Sequence, residues 1–348
     1  MNLKKIKDAA VLIAFLAVML WTSYGSTEEK EDKQIYIGVA CYDQKDTFLG
    51  ELIEAFKDEC SHLEAKGYGI SLTIMDAANS QRTQDDQVQE MINNGCDILC
   101  VNLADRTDPS EIIDTAREND VPIIFFNREP VEEDLMQWNK LYYVGAEAKQ
   151  SGQMQGELAA DYIKENPSVD KNSDGKIQYV ILEGELGHQD AIIRTESVAE
   201  SMKENGVELE KLSYQTANWN RAQAQNRMTQ LIGQYKNSIE LVIANNDAMA
   251  LGAMDAYEKL GITDSNYPVF FGIDGTDEGL EAVRQSKLAA TVYNDKEGQA
   301  YTMAQLAYAV VTGYGMNNIG FENKKYIYLP YKKVTAGNVT DFIDNIQD

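Results

Sequence analysis

The chain has 348 residues, and its 56 acidic side chains outnumber its 31 lysines and arginines, which gives a formal net charge of −25. A surface this acidic repels phosphate backbones, so it argues against nucleic acid as a partner and favours cations such as calcium. The four cysteines form no CxxC pair, and buried thiols and disulfides both remain open for Cys41, Cys60, Cys96 and Cys100.

The N-terminus has the pattern of an export signal. Lys4, Lys5 and Lys7 precede an uncharged run over residues 9–21, and the sequence Ser-Tyr-Gly at 23–25 offers small residues at the two positions that a signal peptidase reads. We predict a signal peptide over residues 1–25, an acidic lead-in over 26–33, and export to the periplasm or the outer face of the cytoplasmic membrane. An uncleaved signal anchor remains open, although the run is shorter than the ~20 apolar residues of a transmembrane helix.

The chain next alternates between strand and helix patterns. Apolar, β-rich runs occur at 35–40, 70–75, 98–103 and 121–126, and amphipathic stretches lie between them at 49–64, 83–93 and 108–119. This alternation predicts a parallel sheet flanked by helices.

A second series of the same kind follows without a Gly/Pro-rich linker. Its predicted strands are 177–182, 209–214, 239–244, 268–273 and 289–293, and its predicted helices are 189–205, 220–235 and 248–260. The sequence therefore predicts two α/β units that share the chain closely.

Residues 170–178 have the spacing of a calcium loop. Oxygen-bearing groups alternate, and Gly175 stands at the sixth position, where an EF-hand loop turns sharply. The predicted ligands are Asp170, Asn172, Asp174, the backbone carbonyl of Lys176, and Gln178. Position twelve is Ile181 instead of a bidentate glutamate, so the glutamate comes from elsewhere or the site is weak. An Asx-rich turn that binds no ion is the simpler alternative.

Polar and aromatic side chains follow the predicted strands at their carboxyl ends, where open α/β sheets bind ligands. Amides, carboxylates, an imidazole and a guanidinium can pair with buried hydroxyls, and aromatic rings can cover the apolar faces of a pyranose. The phosphate-binding motifs GxGxxG and GxxxxGK[ST] do not occur in the sequence. The candidate sugar-binding residues are Asp46, Phe48, Asn102, His188, Asp190, Arg194, Trp219, Asn246, Asp274 and Asn294.

At these positions the chain resembles the sugar-binding type I periplasmic binding proteins, most specifically the members that bind galactose and glucose. The matching segments are 42–48, 121–129, 142–145, 170–178, 184–195, 239–249 and 272–274. The resemblance implies that Phe48 and Trp219 sandwich a pyranose ring and that the eight polar candidates hydrogen-bond its hydroxyls. It also implies that Glu240 supplies the missing calcium ligand and that Asp46 meets the C4 hydroxyl, where a carboxylate can accept from either epimer.

The fold that the resemblance implies is α/β, with two Rossmann-like lobes joined by a three-strand hinge. Mapped onto this chain, the first lobe takes residues 34–120 and 295–327, and the second takes 121–294 and 328–348. The implied function is that of a monomeric binding protein that closes on D-galactose or D-glucose and delivers the sugar to an ABC permease, with calcium as a structural ion. A sensor that presents its occupancy to a chemoreceptor or histidine kinase, and a binder of another monosaccharide, are the alternatives within this class.

The candidates also have plainer interpretations. Asp46 would cap the helix that follows it, His188 would be an ordinary loop residue, and Arg194 would form a surface ion pair. Phe48 and Trp219, taken singly, would be core aromatics.

Two other classes of function differ from a binding protein. In an enzyme acting on a sugar, Asp190 and Asp274 would be the paired carboxylates of a glycosidase, but the sequence has no GxSxG or HExxH motif and no evident nucleophile near His188. In a sugar-responsive transcription regulator, a DNA-binding headpiece would stand where the export signal stands, and the charge is wrong for DNA.

Overall fold

A computed structural model of the protein describes residues 34–343 apart from positions 66, 68 and 263–265. The predicted signal peptide (1–25), the acidic lead-in (26–33) and residues 344–348 lie outside the described residues. The described chain forms two six-stranded sheets, and apolar clusters lie on both faces of each sheet. This is the predicted α/β fold class.

The first sheet consists of β1 (Ile35–Cys41), β2 (Ile70–Asp76), β3 (Ile98–Val101), β4 (Ile123–Phe126), β5 (Leu141–Gly145) and β11 (Tyr326–Tyr328). Its order is β11-β5-β4-β3-β1-β2, and these neighbours pair in parallel. The central strands β3 and β4 are buried along their whole length. Helices cover both faces, which explains why these strands are continuously apolar in sequence.

The second sheet consists of β6 (Ile177–Glu183), β7 (Leu209–Thr216), β8 (Leu241–Ala244), β9 (Val269–Phe271), β10 (Ala290–Tyr293) and β12 (Lys332–Thr335). Its order is β12-β10-β9-β8-β6-β7. The pairs are parallel except that β12 runs antiparallel to β10 at one edge.

The described helices are α1 (Thr47–Ala65), α2 (Gln81–Asn93), α3 (Ser110–Glu118), α4 (Glu132–Leu135), α5 (Ala148–Glu165), α6 (Gln189–Glu204), α7 (Arg221–Tyr235), α8 (Asp247–Lys259), α9 (Asp277–Arg284), α10 (Lys296–Thr312) and α11 (Thr340–Ile343). Helix α1 packs against α10 beside the first sheet, and α5 packs against α6 beside the second. Several helices begin at side-chain caps of the kind that sequence predicts: Ser80, Asn220, Asn246, Thr276 and Asp295 each accept an N–H three residues on.

The predicted division of the chain between the lobes is wrong for residues 121–147. Strand β4 pairs with β3 and β5, so both β4 and β5 belong to the first sheet, whereas the prediction placed them in the second lobe. The chain crosses between β5 and α5, and α5 packs on α6 beside the second sheet. The apolar pattern of β4 suits a buried strand in either sheet, and only its hydrogen-bonding partners decide which.

Two further crossings follow within the described residues. The chain leaves the second sheet after β10 and enters α10, which packs on α1 of the first lobe. It then returns from β11 in the first sheet to β12 in the second. The three crossings place the carboxyl ends of the parallel strands of both lobes around one cleft.

The four cysteines are free thiols, so the disulfide alternative does not hold in this structure. Cys41, Cys60 and Cys100 are buried in the core of the first lobe. Burial raises the pKa of the Cys41 and Cys60 thiols to about 12, which keeps them protonated and unreactive at neutral pH.

Candidate functional site

A cavity of about 30 Å³ lies between the two lobes at the carboxyl ends of the strands. Eight of the ten predicted sugar-binding residues line it: Asp46, Phe48, His188, Asp190, Arg194, Trp219, Asn246 and Asp274. The sequence reasoning missed three other lining residues, Tyr42, Asn127 and Arg128. Two predicted residues, Asn102 and Asn294, are buried next to this site without lining the cavity.

In the first lobe, Asp46 stands directly before α1 and has a structural role. One carboxylate oxygen accepts the N–H of Leu49 at 2.9 Å, and the other accepts the hydroxyl of Tyr42 at 2.6 Å. Asp46 is therefore a helix cap, as the plainer interpretation held, and it also faces the cavity. Phe48, one position into α1, is buried beside it.

Arg128 forms a contact between the first lobe and the second across the cleft. Its guanidinium carbon lies 3.5 Å from the ring centroid of Tyr42, and Nη1 donates to the carbonyl of Ala104 at 3.1 Å. Its Nη2 donates to Glu185 of the second lobe at 2.8 Å. Arg128 falls within the segment 121–129, which is one of the segments that resemble the family. The sequence therefore pointed to this region, but the prediction assigned no role to Arg128.

In the second lobe, the buried guanidinium of Arg194 lies between two carboxylates. Its Nη1 is 3.5 Å from Asp274, its Nη2 is 3.7 Å from Asp190, and the same groups donate to the carbonyl of Asn245 and the hydroxyl of Tyr331. The interpretation of Arg194 as a surface ion pair is wrong, because its side chain is 5% exposed. Burial raises the pKa of both Asp190 and Asp274, and the positive charge of Arg194 opposes that rise.

Two buried polar atoms in or beside the site have no hydrogen-bond partner in the protein. Within the described part of the chain, Nε of Arg194 and Oδ1 of Asn102 are both buried without one. The amide nitrogen of Asn102 donates to the carbonyl of Phe126 and to Asn127, each at 3.0 Å. Because buried polar atoms normally have partners, Nε of Arg194, whose side chain lines the cavity, is suited to a polar ligand.

His188 and Trp219 form an aromatic wall of the cavity. The two rings meet edge to face with centroids 5.2 Å apart, and Nδ1 of His188 accepts the N–H of Asp190. Burial, together with the nearby arginines, holds the pKa of His188 well below its usual range. The imidazole is therefore neutral, with a proton on Nε2 that can be donated to a ligand.

The position of Trp219 depends on close backbone contacts. Its backbone and that of Asn218 have positive φ angles of 60° and 51°. The indole lies against Gly184, where a β-carbon would come within 2.1 Å of Cζ2 of the ring. Only glycine fits at position 184 with this ring placement.

Two asparagines among the predicted sugar-binding residues hold other parts of the site in place. Oδ1 of Asn246 caps α8 by accepting the N–H of Met249 at 2.9 Å, and its nitrogen donates to the carbonyl of Trp219 at 3.3 Å. Asn294 accepts from Gln299 at 2.7 Å. Asn246 is positioned to hold the loop of Trp219, and Asn294 supports the site from behind the cavity.

The predicted calcium loop turns at Gly175, which has a positive φ of 82°. Its carboxylates accept N–H groups of the loop itself: Asp170 from Gly175 at 2.9 Å, and Asp174 from Lys176 at 2.8 Å. Glu240 is buried against both ends of the loop and accepts from the backbone of Lys171 at 2.6 Å and of Gln178 at 3.0 Å.

The donor atoms of this loop suit calcium, which takes six to eight oxygen ligands. The oxygens available are those of Asp170, Asn172, Asp174, Gln178 and Glu240 and the carbonyl of Lys176. No group of three His, Cys, Asp or Glu side chains within the described residues stands ready around one point, so the side chains would have to rotate towards an ion.

The fold and the cleft define a class: a two-lobed binding protein whose site for a small polar ligand lies between the lobes. Comparison with known proteins gives the family. A family described as "Periplasmic binding protein domain" matches residues 37–315. The D-galactose/methyl-galactoside binding periplasmic protein MglB of Haemophilus influenzae is 35% identical over 310 residues, which cover 88% of this chain and 91% of that protein.

More distant relatives belong to the same class. The ribose import binding protein RbsB of Escherichia coli is 27% identical over 66% of this chain and 70% of its own length. A solved ABC transporter solute binding protein from Bacillus halodurans, with bound myo-inositol, has 30% identity and a TM-score of 0.74, covering 90% of this chain and 99% of that one. A second, from Actinobacillus succinogenes with bound D-allose, has 19% identity and the same TM-score, covering 88% and 99%, and shows the fold alone.

The chain belongs to the type I sugar-binding periplasmic binding proteins of ABC transporters, and it is a binding protein, not an enzyme. None of the helices in the described residues is long and apolar enough to cross a membrane.

Proposed function

We propose that the protein binds D-galactose or D-glucose between its lobes and delivers the sugar to the permease of an ABC importer. The observation that carries this proposal is the buried arginine between two carboxylates, Arg194 with Asp190 and Asp274, facing Asp46 across the cavity. Charge-assisted hydrogen bonds from such groups replace the water that sugar hydroxyls lose on burial. The similarity to a galactose-binding relative over most of the chain supports a hexose.

Each side chain has a role in this proposal. Phe48 and Trp219 cover the faces of the pyranose ring, and the neutral imidazole of His188 donates through Nε2. Arg194 donates to one edge of the sugar, where Asp190 and Asp274 accept. Asp46, held by Tyr42 and the start of α1, accepts from the C4 hydroxyl of either epimer.

The cavity itself supports opening and closing of the lobes. About 30 Å³ is room for one or two water molecules and is much smaller than a hexose. We expect the lobes to part when sugar enters, and the sugar contacts both lobes only when they come together. Binding therefore shifts the population towards a closed form.

We also propose that the loop 170–178 with Glu240 binds calcium as a structural ion. Its support is the position of Glu240, a buried carboxylate at both ends of a loop that otherwise lacks its glutamate. A bound ion would tie the entry of β6 to the residue before β8 and would neutralise clustered negative charge.

The export signal leads us to propose a periplasmic location or one on the outer face of the cytoplasmic membrane. The sensor role, with a chemoreceptor or histidine kinase as partner, and the monomeric state stay predictions from the resemblance.

The test is isothermal titration of the purified protein with D-galactose, D-glucose, D-allose, D-ribose, D-xylose and myo-inositol, each with calcium and with chelator. One-to-one binding of galactose or glucose is the expected result. A folded protein that binds only ribose, xylose, allose or inositol would overturn the assignment to galactose or glucose. A folded protein that binds none of these sugars would overturn the assigned site.

A further inference from the structure

A buried lysine joins the two lobes beside the second crossing of the chain. Lys296, the first residue of α10, has a side chain that is 4% exposed. Its ammonium lies 2.5 Å from Oε2 of Glu51 on α1 and 2.7 Å from Oδ1 of Asp277 on α9. Helices α1 and α10 pack together in the first lobe, whereas α9 belongs to the second, so the contact with Asp277 joins the two lobes.

A backbone contact accompanies this ion pair. The N–H of Asp277, the first residue of α9, donates to Oε1 of Glu51 at 3.1 Å. The first N–H groups of a helix have no partner within the helix, and a carboxylate there is favoured by the helix dipole. A side chain of the first lobe thus completes the N-terminus of a helix in the second lobe.

This helix start is connected rigidly to the sugar site. Asp274 lies three residues before Asp277, and the connecting segment is fixed because the N–H of Thr276 donates to the buried carboxylate of Asp247 at 2.9 Å. On the other side, Glu51 lies on α1 about one turn after Phe48. The contact therefore joins the elements that carry the sugar-facing residues of the two lobes.

We propose that Glu51, Lys296 and Asp277 form an interlobe latch that stabilises the closed protein and so raises its affinity for sugar without touching the sugar. This rests on the proposed function, because it assumes that binding and closure are coupled. A contact present only in the closed form shifts the equilibrium towards that form, and the apparent affinity rises in proportion to its population. The three side chains are positioning residues, since they act through the segment 274–277 and through α1.

The variant that isolates the latch is Asp277→Asn. Lys296 and Glu51 both belong to the first lobe, whereas Asp277 belongs to the second, so Asp277→Asn removes the pair between the lobes and leaves the pair within the first lobe. Its carboxylate is 56% exposed, so we expect a modest effect: a dissociation constant about three- to fivefold higher for the hexose and a faster release. The affinity of the wild type should fall with added sodium chloride more steeply than that of the variant.

A matched control stands one residue away. Glu278 lies in the same helical turn, but its carboxylate pairs with Arg221 of α7 within the second lobe. Glu278→Gln removes the same charge from the same helix terminus but leaves the latch residues unchanged. The affinity of this variant for the hexose, and the dependence of that affinity on sodium chloride, should equal those of the wild type. Glu51→Gln should weaken binding in the same direction as Asp277→Asn.

The wild type is titrated first with D-galactose and D-glucose, and release is followed by tryptophan fluorescence. A wild type that binds, with Asp277→Asn weaker and Glu278→Gln unchanged, supports the latch; equal affinity and salt dependence for all three overturn it. A wild type that binds neither hexose overturns the proposed function instead. In that case, small-angle X-ray scattering of the sugar-free proteins tests the latch without a ligand. A larger radius of gyration for Asp277→Asn than for Glu278→Gln supports the latch, and equal radii overturn it.

Discussion

Arg128 of the first lobe and Glu185 of the second form an ion pair across the cleft, with 2.8 Å between Nη2 and Oε2. The guanidinium also covers the ring of Tyr42, whose hydroxyl donates to Asp46. One side chain thereby links the second lobe to a carboxylate that faces the cavity. The guanidinium of Arg128 lies close enough to the face of the Tyr42 ring for a substantial cation–π attraction.

Replacing Arg128 by glutamine should weaken sugar binding by about tenfold, mainly through faster release, because a largely buried partner of a cross-lobe pair is lost while Glu185 can return to water. The measurement is the dissociation constant and release rate for the hexose that the wild type binds. Arg117→Gln is the control, since Arg117 pairs with Asp114 on its own exposed helix. Equal affinities for the two variants would contradict a role for Arg128 in closure.

Gly184→Ala should displace the indole of Trp219, because the new methyl group would lie 2.1 Å from a ring atom. We expect at least about a tenfold loss of sugar affinity and a changed tryptophan fluorescence spectrum. Gly233→Ala, in α7, is the control, since apart from the adjacent backbone of its own helix and its chain neighbours no heavy atom lies within 4 Å of the point that its new β-carbon would occupy. Unchanged affinity in Gly184→Ala would show that Trp219 is not a wall of the binding site.

The stability of the protein should carry a pH dependence from Asp247. Burial raises the pKa of this carboxyl to about 7, against the hydrogen bonds from Thr291 and Thr276 that lower it. An acid whose pKa is higher in the folded protein takes up a proton on folding. Its contribution to stability therefore falls as the pH rises from about 4 to about 7, by at most about 1.4 kcal/mol per pH unit.

Asp247→Asn lacks this titration, although it also loses one hydrogen-bond acceptor. The free energy of unfolding of the variant should thus approach or overtake that of the wild type as the pH rises, which urea unfolding at several pH values between 4 and 7 measures. Asp161 is an exposed residue on α5, so the free energy of unfolding of Asp161→Asn should differ from that of the wild type by the same amount at every pH. A constant difference for Asp247→Asn as well would mean that Asp247 is ionised throughout.

Asp174→Ala should remove the calcium dependence of thermal stability. If the loop binds calcium, the wild type should melt roughly 5 °C lower with chelator than with excess calcium, because an ion that binds only the folded state stabilises it. The variant should melt at one temperature in both conditions, and Asp161→Ala should behave as the wild type does. A wild type whose melting temperature is the same with calcium and with chelator would count against the site.

Local patterns accounted for most elements and for much of the site. The sequence predicted that four site residues follow strands, because parallel strands present their carboxyl ends at one edge of a sheet. These residues are Asp46, Asp190, Asn246 and Asp274. The turn at Gly175 followed from the spacing of the loop. The helix Ala148–Glu165 and the strand Leu141–Gly145 were missed from periodicity, although residues 142–145 carried part of the family resemblance.

The sequence by itself determined the alternation of strand and helix, the chemistry of the strand ends and the calcium spacing, because each depends on residues close together in the chain. Only the tertiary structure decided that β4 and β5 belong to the first lobe, since that depends on hydrogen bonds to neighbouring strands. It alone brought Arg128 to Glu185, and Lys296 to Glu51, which is 245 positions away. Such pairs form where the lobes meet, and no local pattern records which surfaces of two lobes will face each other.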